Sequence, residues 1–325
     1  MSNLSVITGA AGYVGYGLVQ ELLSRGERLR LLLLEPWPPF DNLPCEIVYG
    51  DITKPETIAH TFEGAHTVYH LAGLVEIRKG REDLVWRVNV DGTHNVIAAC
   101  KKSGVRRLVY CSSVDAIAPA PHGTVMREPA SFGVAGLSGT YGKTKAVATQ
   151  SALNSACEGF EVTACMPSAV IGPYDYNAAA IGVMVRTCMR IRMPAGLRGG
   201  GYNFVDVRDV AFGLAQAASA PSGESYLLTG EYLDVSDFIA LLTELTGREP
   251  PGLSVPIKAA AAAAPAAEAF YKLSGKTPLV TRYSLRKITE NGLFSYDKAT
   301  RDLGYNPRST RESLADMIAW VKENE

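Results

Sequence analysis

The sequence predicts a doubly wound α/β fold, in which helices cover both faces of a parallel β-sheet. In the first half of the chain, short aliphatic or β-branched runs alternate with longer segments of helical periodicity. The short runs are continuously apolar, which is typical of strands that are buried on both faces of a parallel sheet. A chain of 325 residues is long enough for one large α/β domain, or for such a domain with a smaller lobe.

Candidate strands follow one another along this first half. In order, they are "LSVIT", "LRLLLL", "CEIVYG", "HTVYHLAG", "RRLVYCSS" and "FEVTACMPSAV". The segment after the first strand, "GYVGYGLVQELLSRG", places Val14, Leu18 and Leu22 at helical spacing and stops at Gly26. The segment "LVWRVNVDGTHNVIAACKKSG" does the same before the fifth strand and stops at Gly104. We therefore expect parallel strands joined by right-handed helical crossovers.

The regular alternation of candidate strands and helices ends in the second half of the chain, after about Pro173. The run "YNFVDVRDVAFGLAQAA" reads as a strand that continues into a helix. Further helices are expected from Asp237 to Thr246 and from Arg311 to Lys322. We predict that residues 1–172 form the larger domain and residues 173–325 a smaller lobe packed on it, with the chain crossing between the two.

The second half also contains an alanine-rich segment that resembles a membrane span in composition. The run "IKAAAAAAPAAEAFYKL", Ile257 to Leu273, includes Lys258 and Glu268 and falls short of the roughly 20 apolar residues that span a bilayer. No membrane span is therefore expected. Its high helix propensity predicts a helix whose small side chains pack close to a neighbour or line a substrate pocket.

The charge balance points to small-molecule partners. The chain has 32 basic and 33 acidic residues, spread without long runs, so neither nucleic acid nor an anionic membrane is expected to bind. Its six cysteines lie far apart and mostly in apolar runs, which predicts reduced thiols. The five histidines show no metal-ligand spacing, so no metal is predicted. The N-terminus enters a strand-like run without a charged leader, so a cytoplasmic protein is expected.

The stretch "VITGAAGYVGYG" joins the first strand to the first helix and contains Gly9, Gly12 and Gly15. The first glycine permits a tight turn, the second lets the backbone approach a pyrophosphate at the helix N-terminus, and the third allows close packing of helix on strand. The strand and helix around the motif are those it requires. We predict a dinucleotide site here, which also includes Tyr13 and Val14.

The second strand ends near Glu35, which bears on the choice of cofactor. A carboxylate there accepts hydrogen bonds from both adenosine ribose hydroxyls and repels a 2′-phosphate, which favours NAD over NADP. The unusual loop "EPWPP" and the nearby Arg28 and Arg30 leave NADP open.

Further cofactor contacts are expected where the next two strands end. Asp51, followed by Ile52, comes after the third strand, where a carboxylate can bind the adenine amino group. Leu71, Ala72 and Gly73 follow the fourth strand and would form a small apolar wall.

The stretch "TYGKTKA" places Tyr141 and Lys145 four residues apart, on one face of a predicted helix. A free tyrosine has a pKa of about 10, and a nearby ammonium group stabilises the phenolate and lowers that pKa. Ser113, at the end of the fifth strand, could hydrogen-bond a substrate oxygen beside this tyrosine. Taken alone, the tyrosine and lysine are also compatible with an ordinary solvated helix face.

The combination of these motifs resembles the extended branch of the short-chain dehydrogenase/reductase superfamily, over nearly the whole chain. The glycine loop, "HLAG", "NVDGT", the serine pair, the tyrosine with its lysine and "NFVDVRDVA" carry the resemblance. It implies a Rossmann domain with a C-terminal substrate lobe and a homodimer through the helix of Tyr141. The implied catalytic set is Ser113, Tyr141 and Lys145, with Ser113 favoured over Ser112. The implied cofactor contacts also include Asn89, the family's helix asparagine, and Pro167, Ser168, Ala169 and Val170, which cover the nicotinamide ring.

Two departures bear on the substrate. Nucleotide-sugar enzymes of this branch have an asparagine where this chain has "MPSAVIGPYDY", and an arginine where this chain has Tyr202. A tyrosine replaces a bidentate phosphate contact poorly. The C-terminal run "TPLVTRYSLRKITENGLFSYDKATRDLGYNPR" is instead similar to dihydroflavonol-reductase-like and 3β-hydroxysteroid-dehydrogenase-like members. The residues that would suit an apolar substrate pocket, but are equally compatible with an ordinary core, are Met184, Met189, Met193 and the alanine-rich segment.

We therefore expect an NAD(P)-dependent alcohol dehydrogenase or ketone reductase that acts on a bulky or apolar small molecule. A nucleotide-sugar epimerase or dehydratase is the alternative, because Arg186, Arg192 or Arg198 could hold a diphosphate. A non-catalytic dinucleotide sensor is a third reading, but a sensor would need only the glycine loop.

Overall fold

A computed structural model of the chain describes residues 3–76, 80–193, 195–264 and 282–324. Its main sheet has seven strands, each parallel to its neighbours. These strands are β1 (Leu4–Thr8), β2 (Arg28–Leu33), β3 (Cys45–Tyr49), β4 (Ala65–His70), β5 (Arg107–Cys111), β6 (Glu161–Pro167) and β10 (Ser225–Leu228). Their order in space is β3-β2-β1-β4-β5-β6-β10. The order reverses between β1 and β4, which is where a doubly wound sheet opens a crevice for ligands. The predicted fold class is confirmed.

Helices lie on both faces of this sheet and cover the small lobe. They are α1 (Tyr13–Ser24), α2 (Glu82–Trp86), α3 (Gly92–Lys102), α4 (Gly139–Asn154), α5 (Ala180–Arg190), α6 (Val207–Ala217), α7 (Val235–Thr246), α8 (257–264), α9 (Arg282–Ile288), α10 (Asp297–Leu303) and α11 (Thr310–Asn324). A π-helical turn, Arg87–Asp91, joins α2 to α3. Residues 257–264 are helical as predicted, whereas 265–273 of the alanine-rich segment lie outside the described residues.

The alternation of side chains along each strand produces two cores. Ile7 and Tyr69 belong to the core that α1 and α6 cover, and their neighbours Val6 and Val68 belong to the core under α3 and α4. Since successive side chains of a strand point to opposite faces, both faces of the sheet are buried. This burial explains why these strands read as continuous apolar runs.

A small lobe is built on a three-stranded sheet with the order β11-β9-β7. Its strands are β7 (Ala169–Ile171), β9 (Gly201–Asp206) and β11 (Glu231–Asp234), and a separate pair comprises β8 (Gly196–Arg198) and β12 (Ser254–Pro256). Helices α5, α7 and α11 cover the sheet. Met184, Met189 and Met193 pack against this core, so they do not by themselves indicate a substrate pocket.

The chain crosses between the two parts more than once. After β9, helix α6 packs on α1, and β10 then pairs with β6 as the last strand of the main sheet. Tyr305, which follows α10, is fully buried in the same core. The predicted boundary at residue 172 therefore separates segments whose side chains share a core, and the boundary itself stays a prediction.

Three general features accompany this fold. All six cysteines are free thiols. Within the four described ranges, no helix combines the length and the apolar character needed to cross a membrane. The described residues also contain no group of three or more histidine, cysteine or acidic side chains placed to hold a metal ion.

Candidate active site

The glycine loop packs directly against the end of β4. Gly9 has a φ of +74°, and a Cβ atom there would lie 2.5 Å from the Ala72 backbone nitrogen. A Cβ atom at Gly15 would overlap the Gly9 carbonyl oxygen. Gly12 is exposed and caps α1, whose first turn contains neither a capping side chain nor an acidic residue. The first backbone N–H groups of α1 are therefore free to bind an anionic group.

A segment that follows β7 holds the other side of the glycine loop. The Tyr13 hydroxyl donates to the Gly172 carbonyl oxygen over 2.6 Å, and Asn177 Nδ2 donates to the Ala11 carbonyl oxygen over 2.7 Å. Val14 packs against the core beneath α1. Sequence reasoning missed Asn177, because no local periodicity connects it to a loop so far upstream.

The residues predicted to contact the adenosine part of the cofactor differ in their exposure and hydrogen bonding. Glu35 is exposed just beyond β2. Asp51 Oδ1 accepts hydrogen bonds from the backbone and hydroxyl of Thr53, over 2.9 and 2.8 Å. Asp51 thus stabilises its own turn. Ile52 is buried, and its carbonyl oxygen accepts a 2.8 Å hydrogen bond from Asn95 in α3.

Gly73 keeps open a space between two predicted site residues. A Cβ atom at this position would lie 3.2 Å from Asn89 Oδ1 and 3.7 Å from Lys145 Nζ. Leu71 and Ala72 before it are fixed to β1, since their N–H groups donate to the carbonyl and hydroxyl oxygens of Thr8 over 3.1 and 3.2 Å.

Asn89 lies in the π-helical turn, a type of irregularity that is frequent at functional sites. Its Oδ1 accepts from the Leu74 N–H over 2.7 Å, and its Nδ2 contacts the Leu74 carbonyl and the Thr144 hydroxyl, both over 3.1 Å. The side chain therefore holds the segment after β4 against α4.

His70, the last residue of β4, was not singled out from the sequence as a site residue. Its ring is fully buried between the hydroxyls of Thr8 and Thr93, at 2.7 and 3.0 Å. Burial, with a smaller contribution from Lys145, lowers the pKa of His70 to about 3. The ring is therefore neutral at physiological pH, and its hydrogen bonds connect β1 and α3 beneath the site.

Helix α4 places Tyr141 and Lys145 one turn apart. Lys145 is buried, with its Nζ donating to the Cys111 carbonyl over 2.6 Å and lying 4.7 Å from the centre of the Tyr110 ring. The Ser113 side chain lies close enough to Tyr141 to act on the pKa of its hydroxyl. Burial raises the pKa of Tyr141 to about 12; Lys145 and Ser113 act to lower it, and Asp115 acts to raise it. A second positive charge beside the ring would lower this pKa further.

The two serines after β5 face different neighbours. Ser112 is buried and shares a 2.5 Å hydrogen bond with the Thr149 hydroxyl. The Ser113 hydroxyl accepts from the Asp115 N–H over 3.2 Å and meets Tyr141. The structure thus brings Ser113, and not Ser112, to the tyrosine.

The segment from Pro167 to Val170 links β6 to β7 at the edge of the main sheet where the strands end. Pro167 closes β6, and Ala169 and Val170 begin β7. Between them, the Ser168 hydroxyl is buried and has no hydrogen-bond partner among the residues described. Because buried hydroxyls are nearly always paired, this one fits a polar group of a bound ligand. Together with the open first turn of α1, it fits a dinucleotide.

Comparison with known proteins identifies the family of the chain. Residues 5–228 match the model of the NAD dependent epimerase/dehydratase family. The sterol demethylase protein B of Methylococcus capsulatus is 32% identical over 330 residues, which are 98% of this chain and 98% of that protein. The 3-beta-hydroxysteroid dehydrogenase of Mycolicibacterium neoaurum is 26% identical over 334 residues, covering 98% of this chain and 91% of that protein.

A solved structure shows the same fold. The crystal structure of gox2253 matches with a TM-score of 0.85 and 30% identity, and the match covers 99% of both chains. The predicted family, the oxidoreductase activity and the nicotinamide cofactor are thereby confirmed. The chain therefore belongs to the NAD-dependent epimerase/dehydratase family of extended short-chain dehydrogenases and reductases.

Proposed function

We propose that this protein is an alcohol dehydrogenase or ketone reductase whose catalytic residues are Ser113, Tyr141 and Lys145. The observation that carries the proposal is the placement of the Ser113 hydroxyl where it acts to lower the pKa of Tyr141, with the Lys145 ammonium group buried one turn away. A substrate oxygen placed at these two hydroxyls would meet a proton donor and a hydrogen-bond donor together.

The division of work among the three side chains follows from their chemistry. In the reducing direction, Tyr141 gives its proton to the carbonyl oxygen, and in the oxidising direction its phenolate removes the proton of the alcohol. Ser113 orients the same oxygen by a hydrogen bond. Lys145 stabilises the phenolate and so brings the tyrosine closer to its working range. When bound, the nicotinamide supplies or accepts the hydride.

We propose that the predicted cofactor residues form one binding surface along the carboxyl ends of the strands. The first turn of α1 would hold the pyrophosphate, as its free N–H groups suggest. Ser168 would satisfy its buried hydroxyl on the nicotinamide side. The residues proposed for this surface are Gly9, Gly12, Tyr13, Val14, Gly15, Glu35, Asp51, Ile52, Leu71, Ala72, Gly73, Asn89, Tyr141, Lys145, Pro167, Ser168, Ala169 and Val170.

Glu35→Ala is expected to narrow the preference for NADH over NADPH. The exposed carboxylate repels a 2′-phosphate, and its removal takes away that repulsion together with the ribose hydrogen bonds. Fluorescence titration of both cofactors measures the ratio of dissociation constants. As a control, Glu56→Ala removes an exposed carboxylate from the turn after β3. An unchanged ratio in Glu35→Ala would show that another residue selects the cofactor.

For the substrate, we propose a bulky or apolar alcohol or ketone rather than a nucleotide sugar. Tyr202, at the place of the phosphate-binding arginine, supplies no positive charge, and burial and the nearby Asp115 carboxylate both act to raise the pKa of its hydroxyl. Arg186 is paired with the buried Asp175 at 2.9 Å, and Arg192 with Glu249 at 3.0 Å, so both arginines are engaged. The names of the two relatives, a sterol demethylase protein and a hydroxysteroid dehydrogenase, point to the same chemical class.

Nicotinamide absorbance provides the direct test. The purified protein is given NAD or NADH with hydroxysteroids, flavonoid ketones, simple aldehydes and nucleotide sugars, each in a separate reaction. We expect net oxidation or reduction with a hydroxysteroid or another bulky alcohol or ketone. No net change, together with conversion of a nucleotide sugar seen by chromatography, would assign the protein to the epimerases or dehydratases instead.

We also propose that residues 1–172 mainly hold the cofactor, that residues 173–325 mainly hold the substrate, and that the protein works in the cytoplasm as a homodimer. The six free thiols support a reducing compartment. Trp86 of α2 is 42% exposed, and α2 packs beside α4, the helix that the family resemblance places at a dimer interface. Light scattering of the purified protein tests the dimer: the mass of a single chain at micromolar concentration would exclude it.

A further inference from the structure

A cluster of buried charges lies beside the catalytic residues. Lys287 of α9 contacts Asp115 Oδ1 at 3.0 Å and Glu290 Oε2 at 2.8 Å. The three side chains are only 10, 12 and 16% exposed. Ion pairs at such exposure are weakly screened by solvent, so each charge acts strongly on its neighbours.

The cluster is attached to both sides of the catalytic pair. Asp115 follows Ser113 by two residues and donates its N–H to the Ser113 hydroxyl over 3.2 Å. Glu290 Oε1 accepts a 2.9 Å hydrogen bond from the hydroxyl of Ser138, the residue that precedes α4. The turn that carries Ser113 and the start of the helix that carries Tyr141 are thus joined through one lysine of the C-terminal region.

A cavity lies beside this cluster. It has a volume of about 30 Å³, which is enough for a water molecule, and Asp115, Tyr202, Lys287 and Glu290 are among the residues that line it.

The charged groups at Tyr141 and at this cluster come from three elements. Asp115 lies in the turn after β5, the Lys145 ammonium lies on α4 itself, and Tyr202 of β9 and the Cys111 thiol are neutral neighbours. Lys287 approaches the same place from α9. Glu290 is also contacted on its outer side by Arg286, at 3.5 Å.

Asp115 acts against the catalytic function of Tyr141, since its carboxylate raises the pKa of the tyrosine. Lys287 places a positive charge 3.0 Å from this carboxylate. Burial acts to lower the pKa of Lys287, but Asp115 and Glu290 outweigh it and leave the pKa raised, so the side chain is charged over the working range.

We propose that Lys287 is a positioning residue of the catalytic site. Its ammonium group offsets the Asp115 carboxylate near Tyr141, and its contacts with Asp115 and Glu290 hold the Ser113 turn against the start of α4. The proposal rests on the catalytic role proposed above for Tyr141.

The test is a titration of Tyr141 in the NAD-bound protein that carries ¹³C at the tyrosine ring carbon bonded to oxygen. The Tyr141→Phe variant assigns the resonance. We expect Lys287→Met to move the titration of Tyr141 up by about one pH unit, because the variant removes a positive charge that lies 3.0 Å from Asp115. Asp115→Asn is expected to move it down, and Lys287→Arg to keep it near the wild-type position.

The double variant Asp115→Asn with Lys287→Met sharpens the test, since it removes one charge of each sign. Its titration is expected to lie between those of the two single variants. Lys143→Met is the matched control, because Lys143 is an exposed lysine of α4. The pH dependence of alcohol oxidation by each active variant should shift with the titration, since oxidation requires the phenolate and its rate rises through the pKa of the tyrosine.

Shifts of the same sign in Lys287→Met and Asp115→Asn, or no shift in either, would overturn the proposal. If Lys287→Met fails to fold, Lys287→Gln replaces it, and the same upward shift is expected because the positive charge is again removed. The titration needs no substrate, so it remains informative even if no alcohol is turned over. Conversely, an active Tyr141→Phe variant would refute the catalytic role of Tyr141 while leaving the measured charge coupling intact.

Discussion

Tyr141→Phe is expected to reduce turnover by at least about 10³-fold, because the position loses the only group that exchanges a proton with the substrate oxygen in the proposed mechanism. The aromatic ring is kept, and the variant loses one hydroxyl beside Ser113. The dissociation constant for NADH should change by less than about threefold, because the proposed tyrosine role lies in the chemical step. Initial rates and fluorescence titration measure the two quantities separately.

Tyr226→Phe is the matched control for this variant. Tyr226 is fully buried in β10, and its hydroxyl has no hydrogen-bond partner within the described part of the chain. Removal of the same atom there should leave turnover and NADH binding near wild type. A Tyr141→Phe protein that retains a tenth or more of the wild-type rate with the identified alcohol or ketone would refute the assignment of the catalytic acid.

Gly9→Ala is expected to abolish NAD binding and to lower the free energy of unfolding by about 3 kcal/mol. A residue with a side chain at a φ of +74° costs roughly 1–2 kcal/mol. The new methyl group would also lie 2.5 Å from the Ala72 nitrogen and 2.8 Å from the Leu71 carbonyl carbon, a collision with backbone that costs a further 1–3 kcal/mol or so. The glycine loop would be displaced from the end of β4, and the proposed pyrophosphate site would be lost.

Gly26→Ala separates these two contributions. Gly26 follows α1 with a φ of +73°, and a Cβ atom there would meet nothing within 4 Å. Only the backbone strain remains, so we expect a loss of about 1 kcal/mol and unchanged NAD binding. Urea unfolding and NADH titration of both variants provide the comparison. Equal stability losses in the two would show that the contact with Ala72 does not constrain the loop.

The features that the sequence predicted well are those that a local pattern specifies. The glycine loop needs only residues adjacent in the chain, and Tyr141 and Lys145 lie on one helix face because they are four residues apart. The continuous apolar runs predicted the buried parallel strands for the same reason. The strand-to-helix transition at residues 201–217 was also predicted correctly.

Other parts of the site depend on contacts between distant segments, which leave no periodic signal. Nothing near Lys287 indicates that it pairs with Asp115, and Asn177 gives no sign that it binds the glycine loop. The hydrogen-bond partners of Ser112 and Ser113 likewise depend on the path of the turn after β5. Such contacts are set by how the small lobe packs on the main sheet, and one sequence does not specify that packing.

The place of β10 in the main sheet has a consequence for how the chain folds during its synthesis. Until Ser225–Leu228 leaves the ribosome, β6 is an edge strand with unpaired backbone groups, and the apolar face that α6 covers stays open. Exposed edges of this kind pair readily with other chains. A nascent or truncated chain that ends near residue 172 therefore has an unpaired edge strand that is prone to aggregation. The half of the protein that is synthesised first would depend on a chaperone for the longest time.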